Sequence, residues 1–320
     1  MLNKSKLISN KSKTVPFDDV YIEQYKYFVD NKKKYILKYK SEKICRFCGK
    51  TQPNVKFKKD AHLIPQLLGN RTLVTNFECD SCNEKVFSIY ESSLGAYTNP
   101  FRSIIQLKGQ KGRKPTKHKE PSDNLSIYSE FGKTVIDIKD KNLIKKDSAN
   151  KILSFDTTIP SYVPNHVYKI LLKIGLCLLN DEDVKSYSTS IDYLMDLKNE
   201  KFKNFTTALL FKYFIPGPFI EYPAVVLFKR KGNDIRFPLH TLVLFFTNHI
   251  FQIFLPMQNT PKETIPKEIT FLNFPVTIDK SYYDIYGKYV FNIEDLSSSI
   301  KTKNQIITQN IKFGSEQKII

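Results

Sequence analysis

Three segments decide how this chain reads: CRFCG at residues 45–49, FKKDAHLIPQLLGN at 57–70 and ECDSCNEKVFSIYE at 78–91. Two Cys-x-x-C turns, Cys45/Cys48 and Cys79/Cys82, bracket a single histidine, His62, and the second turn runs directly into Asn83. Each turn can aim two thiolates at one tetrahedral ion, so two turns complete a four-cysteine structural zinc site. One such turn carries little information, whereas two around a polar segment carry a great deal. The competing use of four cysteines is a pair of disulfides, which needs an oxidising compartment. The first residues, MLNKSKLISNKSK, lack the apolar run of a signal peptide. A reducing, cytoplasmic setting and a metal site are therefore expected.

Composition narrows the partners. The chain has 320 residues with 41% hydrophobic content, enough for one large or two ordinary domains with real cores. Its apolar stretches around 171–179 and 242–255 are too short or too interrupted to span a membrane. The net charge of +18 is unevenly placed: residues 1–120 hold 25 Lys/Arg against 11 Asp/Glu, and residues 121–320 hold 25 against 21. A generally Lys-rich proteome would raise the total but would not concentrate it beside the cysteines. The positive field points to a polyanion, with nucleic acid the favoured partner.

Periodicity gives a coarse map of elements. Residues 17–43 place Val20, Tyr21, Tyr25, Phe28, Tyr35, Ile36 and Tyr39 at roughly helical intervals, which predicts one or two basic helices. Between the cysteine pairs, a strand over 55–62, a loop after Pro65, a second short strand near Leu73–Val74 and a helix from about Cys82 to Leu94 are expected, capped by Asp80 or Ser81. The run KGQKGRKP at 108–115 reads as a flexible cationic loop. Farther on come a hairpin at 125–138, an amphipathic helix over 165–179 with Asn165 as N-cap, and a helix over 182–197. Strand-like runs follow at 207–214, 224–229, 241–247, 250–255 and 269–274, a pattern that predicts an antiparallel meander. The expected class is α+β in three parts: a basic helical extension (1–44), a cysteine-bearing module (45–120) and an α+β specificity or regulatory domain with helices and an antiparallel sheet (121–320).

A histidine at a strand end, opposite a metal held by the following helix, can take a proton from water while the metal neutralises charge growing on a phosphate. Hard oxygen donors for such an ion suit Mg²⁺ or Mn²⁺. His62 is then the general base and Asn83 a ligand through its amide oxygen, with Asp60 and Glu91 competing for the carboxylate position. Glu91 lies eight residues beyond Asn83, about two helical turns, and Asp60 lies two before His62, the same side of a regular strand.

These residues resemble the HNH endonucleases, specifically the branch in which four cysteines support a ββα-metal motif and the group described as HNH endonuclease 5. The resemblance rests on Cys45-x-x-Cys48, Asp60-Ala61-His62-Leu63-Ile64-Pro65 and Cys79-x-x-Cys82-Asn83, and covers residues 45–115. It implies structural zinc on the four cysteines, water activation by His62, a divalent ion at Asn83, and hydrolysis leaving 5′-phosphate and 3′-hydroxyl ends. The chain departs from the pattern at two places. Ala61 stands where many members carry an acidic or histidine ligand. Val74 stands at the motif's middle Asn, with Asn70 and Asn76 on either side.

The expectation is a metal-dependent DNA endonuclease, by analogy in bacterial restriction or anti-phage defence. The alternative is a non-catalytic zinc-stapled nucleic-acid-binding protein. Duplex DNA is the expected partner, with Arg102, Lys108, Lys111, Arg113 and Lys114 as phosphate contacts, no membrane, and pairing of two copies left open. His166, His240 and His249 sit in apolar contexts that suit structural roles, His118 in the basic loop has a minor claim on phosphate, and Cys177 reads as a buried inert thiol.

Overall fold

The computed structural model describes residues 15–37, 43–108, 115–198, 200–202, 208–256 and 268–312. Helix α1 (Phe17–Val20) leads straight into β1 (Tyr21–Phe28), and β2 (Tyr35–Leu37) follows. The cysteine-bearing segment holds β3 (Ala61–His62), β4 (Leu73–Thr75), α2 (Asp80–Cys82), a wide π-type turn (Asn83–Phe87), α3 (Ser88–Tyr97) and α4 (Asn99–Ile104). Next come β5 (His118–Lys119), the hairpin β6 (Leu125–Glu130) and β7 (Lys133–Ile138), then β8 (Ile144–Asp147) and β9 (Ile152–Ile159). Three helices follow: α5 (Pro164–Leu178), α6 (Asp181–Lys185) and α7 (Ser188–Met195). The chain closes with β10 (Leu209–Phe214), β11 (Ile220–Arg230), β12 (His240–Thr247), β13 (His249–Phe254), α8 (Lys280–Tyr286), β14 (Val290–Asp295) and β15 (Gln305–Lys312).

The class is α+β. The largest sheet is antiparallel and six-stranded, ordered β1-β11-β12-β13-β10-β14. Among the described residues there are three further small sheets, β15-β9-β8, β5-β6-β7 and β2-β4-β3, and of the described strand pairs only β2 and β4 run parallel.

Helix α5 organises the core. Its sequence PNHVYKILLKIGLCL is mostly apolar with one polar stripe, His166, Lys169 and Lys173, and all its residues but His166 are buried. Helix α5 is accordingly enclosed, between α3 of the cysteine-bearing segment and strands β12 and β13 of the large sheet. Gly175 permits the closest approach, since a Cβ there would sit 2.8 Å from a Leu255 methyl. One apolar cluster runs from Phe47, Leu63, Phe87 and Tyr90 through Ile170, Leu171 and Leu178 to Leu227, Leu244 and Leu296, with no break at residue 120. Two hydroxyls tie the same surfaces: Tyr90 donates to the Leu194 carbonyl at 2.7 Å and Tyr97 to Glu294 at 2.6 Å.

Several expectations are corrected. Among the described residues, 21–28 form a strand rather than a basic helix, and β1 is an edge of the large sheet. A register shift between Glu23 and Tyr25 interrupts the alternation, so Tyr21, Tyr25 and Phe28 fall at spacings of four and three that imitate a helical stripe. Only Ala61–His62 of the expected 55–62 strand is paired. The N-cap of α5 is Val163 with Pro164 at the first position, not Asn165. The helix expected over 182–197 is two, α6 and α7, the first capped by the Asn180 side chain. Residues 269–274 join no sheet: the Gln252 side chain takes their backbone groups, donating to Leu272 O and accepting from Phe274 N.

Burial of histidine gives this core a pH dependence. His240 is fully enclosed, its Nδ1 2.7 Å from the Tyr187 hydroxyl, and burial lowers its pKa from 6.5 to about 4 despite the Asp183 carboxylate nearby. As pH falls below 6.5 the unfolded chain takes up the proton and the folded one does not until about 4, so stability drops across that window. The loss at pH 5 should be about 2 kcal/mol. Thermal melts should show a lower Tm at pH 5 than at pH 7, with a smaller difference in His240→Leu.

Candidate functional site

The four cysteine sulfurs lie within 4.8 Å of one another, and among the described residues no other group of three or more His, Cys, Asp or Glu does so. Cys45 Sγ is 3.8 Å from Cys82 Sγ, and Cys48 Sγ is 3.9 Å from Cys79 Sγ. Sulfurs about 2.3 Å from a central zinc form a tetrahedron with edges of about 3.8 Å, so the donor set fits such an ion. Burial and the charge on Cys45 raise the Cys79 thiol, and a bound cation would favour the thiolate form of all four. The first turn is shaped by Gly49 at φ +68°, whose N–H reaches Cys45 O at 2.8 Å, and in the second Asn83 N reaches Cys79 O at 3.1 Å. Asp80 joins the two ends of the segment. Its carboxylate accepts from the backbone of Lys58 and Lys59, while its own N–H donates to Lys56 O.

Beside this cluster β3 and β4 form a minimal antiparallel pair, Ala61 opposite Thr75 and His62 opposite Val74, followed by the helix that starts at Asp80. This is a ββα unit. His62 stands on its first strand, half-buried, with Nε2 2.9 Å from the Gln66 amide nitrogen. With that amide donating, Nε2 is the unprotonated nitrogen. Burial lowers the pKa of His62 below the ordinary histidine value, against the Arg71 backbone, which favours the charged ring. The imidazole is thereby kept as a free base at neutral pH.

The loop between the strands is pinned by Asn70, which is fully buried. Its amide donates to Ile64 O at 2.7 Å and Leu73 O at 2.8 Å, and its oxygen accepts from Thr72 N and Leu73 N. Asn31 adds a second clasp, donating to Gly69 O and accepting from Arg71 N. Asn70 therefore does the loop-fixing that a fixed count back from Asn83 would assign to Val74, which is buried in β4. Gln66 carried no signal in the sequence beyond its place four residues after His62 in a turn.

The other expected residues fall as follows. Ala61 is 1% exposed and packed, so a carboxylate at that position would face the core. Asp60 precedes β3 and is exposed, and both its oxygens take the Lys34 ammonium at 2.6 and 2.7 Å. Asn83 and Glu91 lie on one helical path containing the π-type turn. Such a turn adds about one residue, so eight residues span roughly the two turns that seven would in a regular helix. That sets Asn83 and Glu91 on nearly the same face. Burial raises the pKa of Glu91, and Lys173 partly opposes it. Lys58, Lys59 and Lys85 are exposed around this unit, Lys59 pairing with Glu84.

Arg102 is buried instead of facing solvent: its guanidinium donates to Gly95 O, Thr98 Oγ1 and Thr116 Oγ1, which removes it from phosphate contact. Lys108 is exposed, bridges to Pro115 and accepts from Arg71 through its carbonyl at 2.9 Å, so the foot of the basic loop stands next to the His62 loop. Lys111, Arg113 and Lys114 lie outside the described residues. His118 is enclosed by Asn99, Glu120 and Thr157 and does not face solvent. Cys177 is buried, and burial pushes its thiol up to about 12.

Replacing Asn70 tests the clasp. Asn70→Ala takes the side-chain partner from the Ile64 carbonyl and from the Thr72 and Leu73 N–H groups, and leaves Leu73 O with Leu63 N alone, which should cost roughly 3 kcal/mol. A denaturant melt should shift accordingly, whereas exposed Asn54→Ala should leave the midpoint unchanged.

Comparison with known proteins is narrow. No curated protein and no solved structure matches the chain. Residues 45–95 do match the family model described as HNH endonuclease, a span that contains all four clustered cysteines together with His62, Asn70, Asn83 and Glu91. That segment, built as a ββα unit beside four cysteines placed to hold a metal ion, is the part of the chain that is similar to the HNH endonucleases.

Proposed function

We propose that the protein is a metal-dependent endonuclease that hydrolyses phosphodiester bonds of duplex DNA, with zinc on Cys45, Cys48, Cys79 and Cys82 as a structural ion. The observation that carries this reading is His62, a neutral imidazole on the first strand of a ββα unit, inside the segment that matches the family. In this reading His62 Nε2 takes the proton of the attacking water after the Gln66 amide yields its place. Asn31, which accepts from Arg71 N, and the Asn70 clasp on the same loop keep the ring's backbone neighbour, Arg71, in place while this happens.

Asn83 and Glu91 would hold a Mg²⁺ or Mn²⁺ ion through an amide and a carboxylate oxygen, donors of the hard type such ions take. Glu91 is favoured over Asp60 because the Asp60 carboxylate is occupied by Lys34. When bound, the ion would supply charge neutralisation at the scissile phosphate and the leaving oxygen. Exposed Lys58, Lys59, Lys85 and Lys108 would meet the flanking phosphates, and the sequence carries three more cations, Lys111, Arg113 and Lys114, soon after Lys108. The remaining α+β part would select or regulate the target, in a cytoplasmic restriction or anti-phage role. Among the described residues no helix is long and apolar enough to cross a membrane.

One observation favours the second reading, a zinc-stapled nucleic-acid-binding protein: Ala61 and the Lys34–Asp60 pair leave no carboxylate next to His62. Plasmid nicking separates the two. Purified protein with Mg²⁺ or Mn²⁺ should convert supercoiled to open-circular DNA, EDTA should abolish this, and His62→Ala should reduce the rate by at least about a hundredfold. Nicking that survives His62→Ala would remove the catalytic claim for His62, and DNA retention without nicking would establish the second reading.

A further inference from the structure

The edge of the catalytic sheet is closed by a residue far outside the matched segment. Strand β3 has β4 on one side only. Its His62 carbonyl finds its partner in Lys173 of α5, whose ammonium donates to it at 2.9 Å. The same ammonium forms an ion pair with Glu78 Oε2 at 2.8 Å, and both side chains are no more than 1% exposed. One ammonium thus joins helix α5 to the His62 carbonyl and to the Glu78 carboxylate at once. Lys173 also lies over the Phe87 ring, 5.4 Å from its centroid, which fixes its stem against the module's own helix region.

A buried ion pair is a poor way to gain stability, because apolar residues of similar volume usually serve as well or better. Helix α5 is otherwise nearly all apolar, and two leucines would extend the cluster without interruption. What an apolar pair could not do is hold the backbone of the histidine. We propose that Lys173 is a positioning residue: through the His62 carbonyl, helix α5 sets the place of the imidazole on β3. This rests on the nuclease reading for its catalytic consequence. The coupling between α5 and His62 can be measured apart from it.

The test uses the full chain and compares Lys173→Met, Glu78→Gln and the double variant Glu78→Gln/Lys173→Met. Lys173→Met leaves a buried carboxylate alone and should lower both Tm and activity. The double variant removes both charges, so its Tm should return close to that of the parent, while kcat for plasmid nicking stays at least about tenfold down and KM changes less than about twofold. Glu78→Gln keeps the lysine-to-carbonyl bond and should keep kcat within about twofold of the parent. A double variant that regains kcat along with Tm, or a Glu78→Gln protein that loses kcat as severely as Lys173→Met, would overturn the proposal.

A second readout needs no turnover. In protein labelled at histidine, the His62 ring signal, assigned by its loss in His62→Ala, should move in the double variant while those of His118, His166, His240 and His249 stay. An unmoved His62 signal would overturn the coupling even if the parent cleaves DNA. A moved signal in a protein that never cleaves would uphold the coupling and remove the nuclease reading alone.

Discussion

Four sulfurs gathered into one cluster join two pieces of chain that are otherwise tied by the Asp80 carboxylate, one backbone bond from Arg46 to Phe77 and the packing of Phe47 on Phe87. The strands beside them are two and three residues long, and a pair that short does not persist in water unaided. Closing Cys45 and Cys48 onto Cys79 and Cys82 brings the ends of that unit together, and ion binding to four thiolates typically supplies ~10 kcal/mol or more toward folding. Everything placed by the unit inherits that constraint. The Asn70 clasp can hold the loop, and the loop can hold His62, only if the segment's ends are already fixed.

The second constraint is helix α5. It lies outside the segment that matches a known family, yet it meets that segment at both ends of the cysteine-bearing unit. At its C-terminus the Arg46 guanidinium, from the first cysteine turn, donates to the carbonyls of Leu176 and Leu179 and pairs with Asp181. A positive group there satisfies carbonyls that the helix cannot and complements its dipole. One turn back, Lys173 reaches the His62 carbonyl. The cysteine cluster and the strand that bears His62 are thus both registered against one enclosed helix, whose other side carries the large sheet. The continuous core joins the segment that matches the family to the rest of the described chain.

What could be read in advance depended on how local its cause was. The cysteine turns, the ββα order and the hairpin at β6–β7 are written in adjacent residues, and they stand in the structure within a few positions of where spacing places them. Strand β1 was hidden because its partner, β11, lies about 200 residues away and because the shift at Glu23/Tyr25 erased the alternation that marks a strand. Asn70 escaped because counting back from Asn83 assumes a loop length, whereas its role is defined by the carbonyls it meets. Pro164 did mark the start of α5, and a reading centred on side-chain caps passed over it. Lys173 was illegible in principle. A lysine in an apolar helix reads as a solvated face until Glu78 and the His62 carbonyl, 111 residues away in sequence, are seen against it.

The most direct test of the account is X-ray absorption at the zinc edge on protein purified under reducing conditions. The account predicts one zinc per chain with four sulfur ligands at about 2.3 Å and no nitrogen or oxygen in the first shell. A folded protein without zinc, or a zinc bound through mixed sulfur and oxygen or nitrogen donors, would contradict it, because the ββα unit would then be held together by something else.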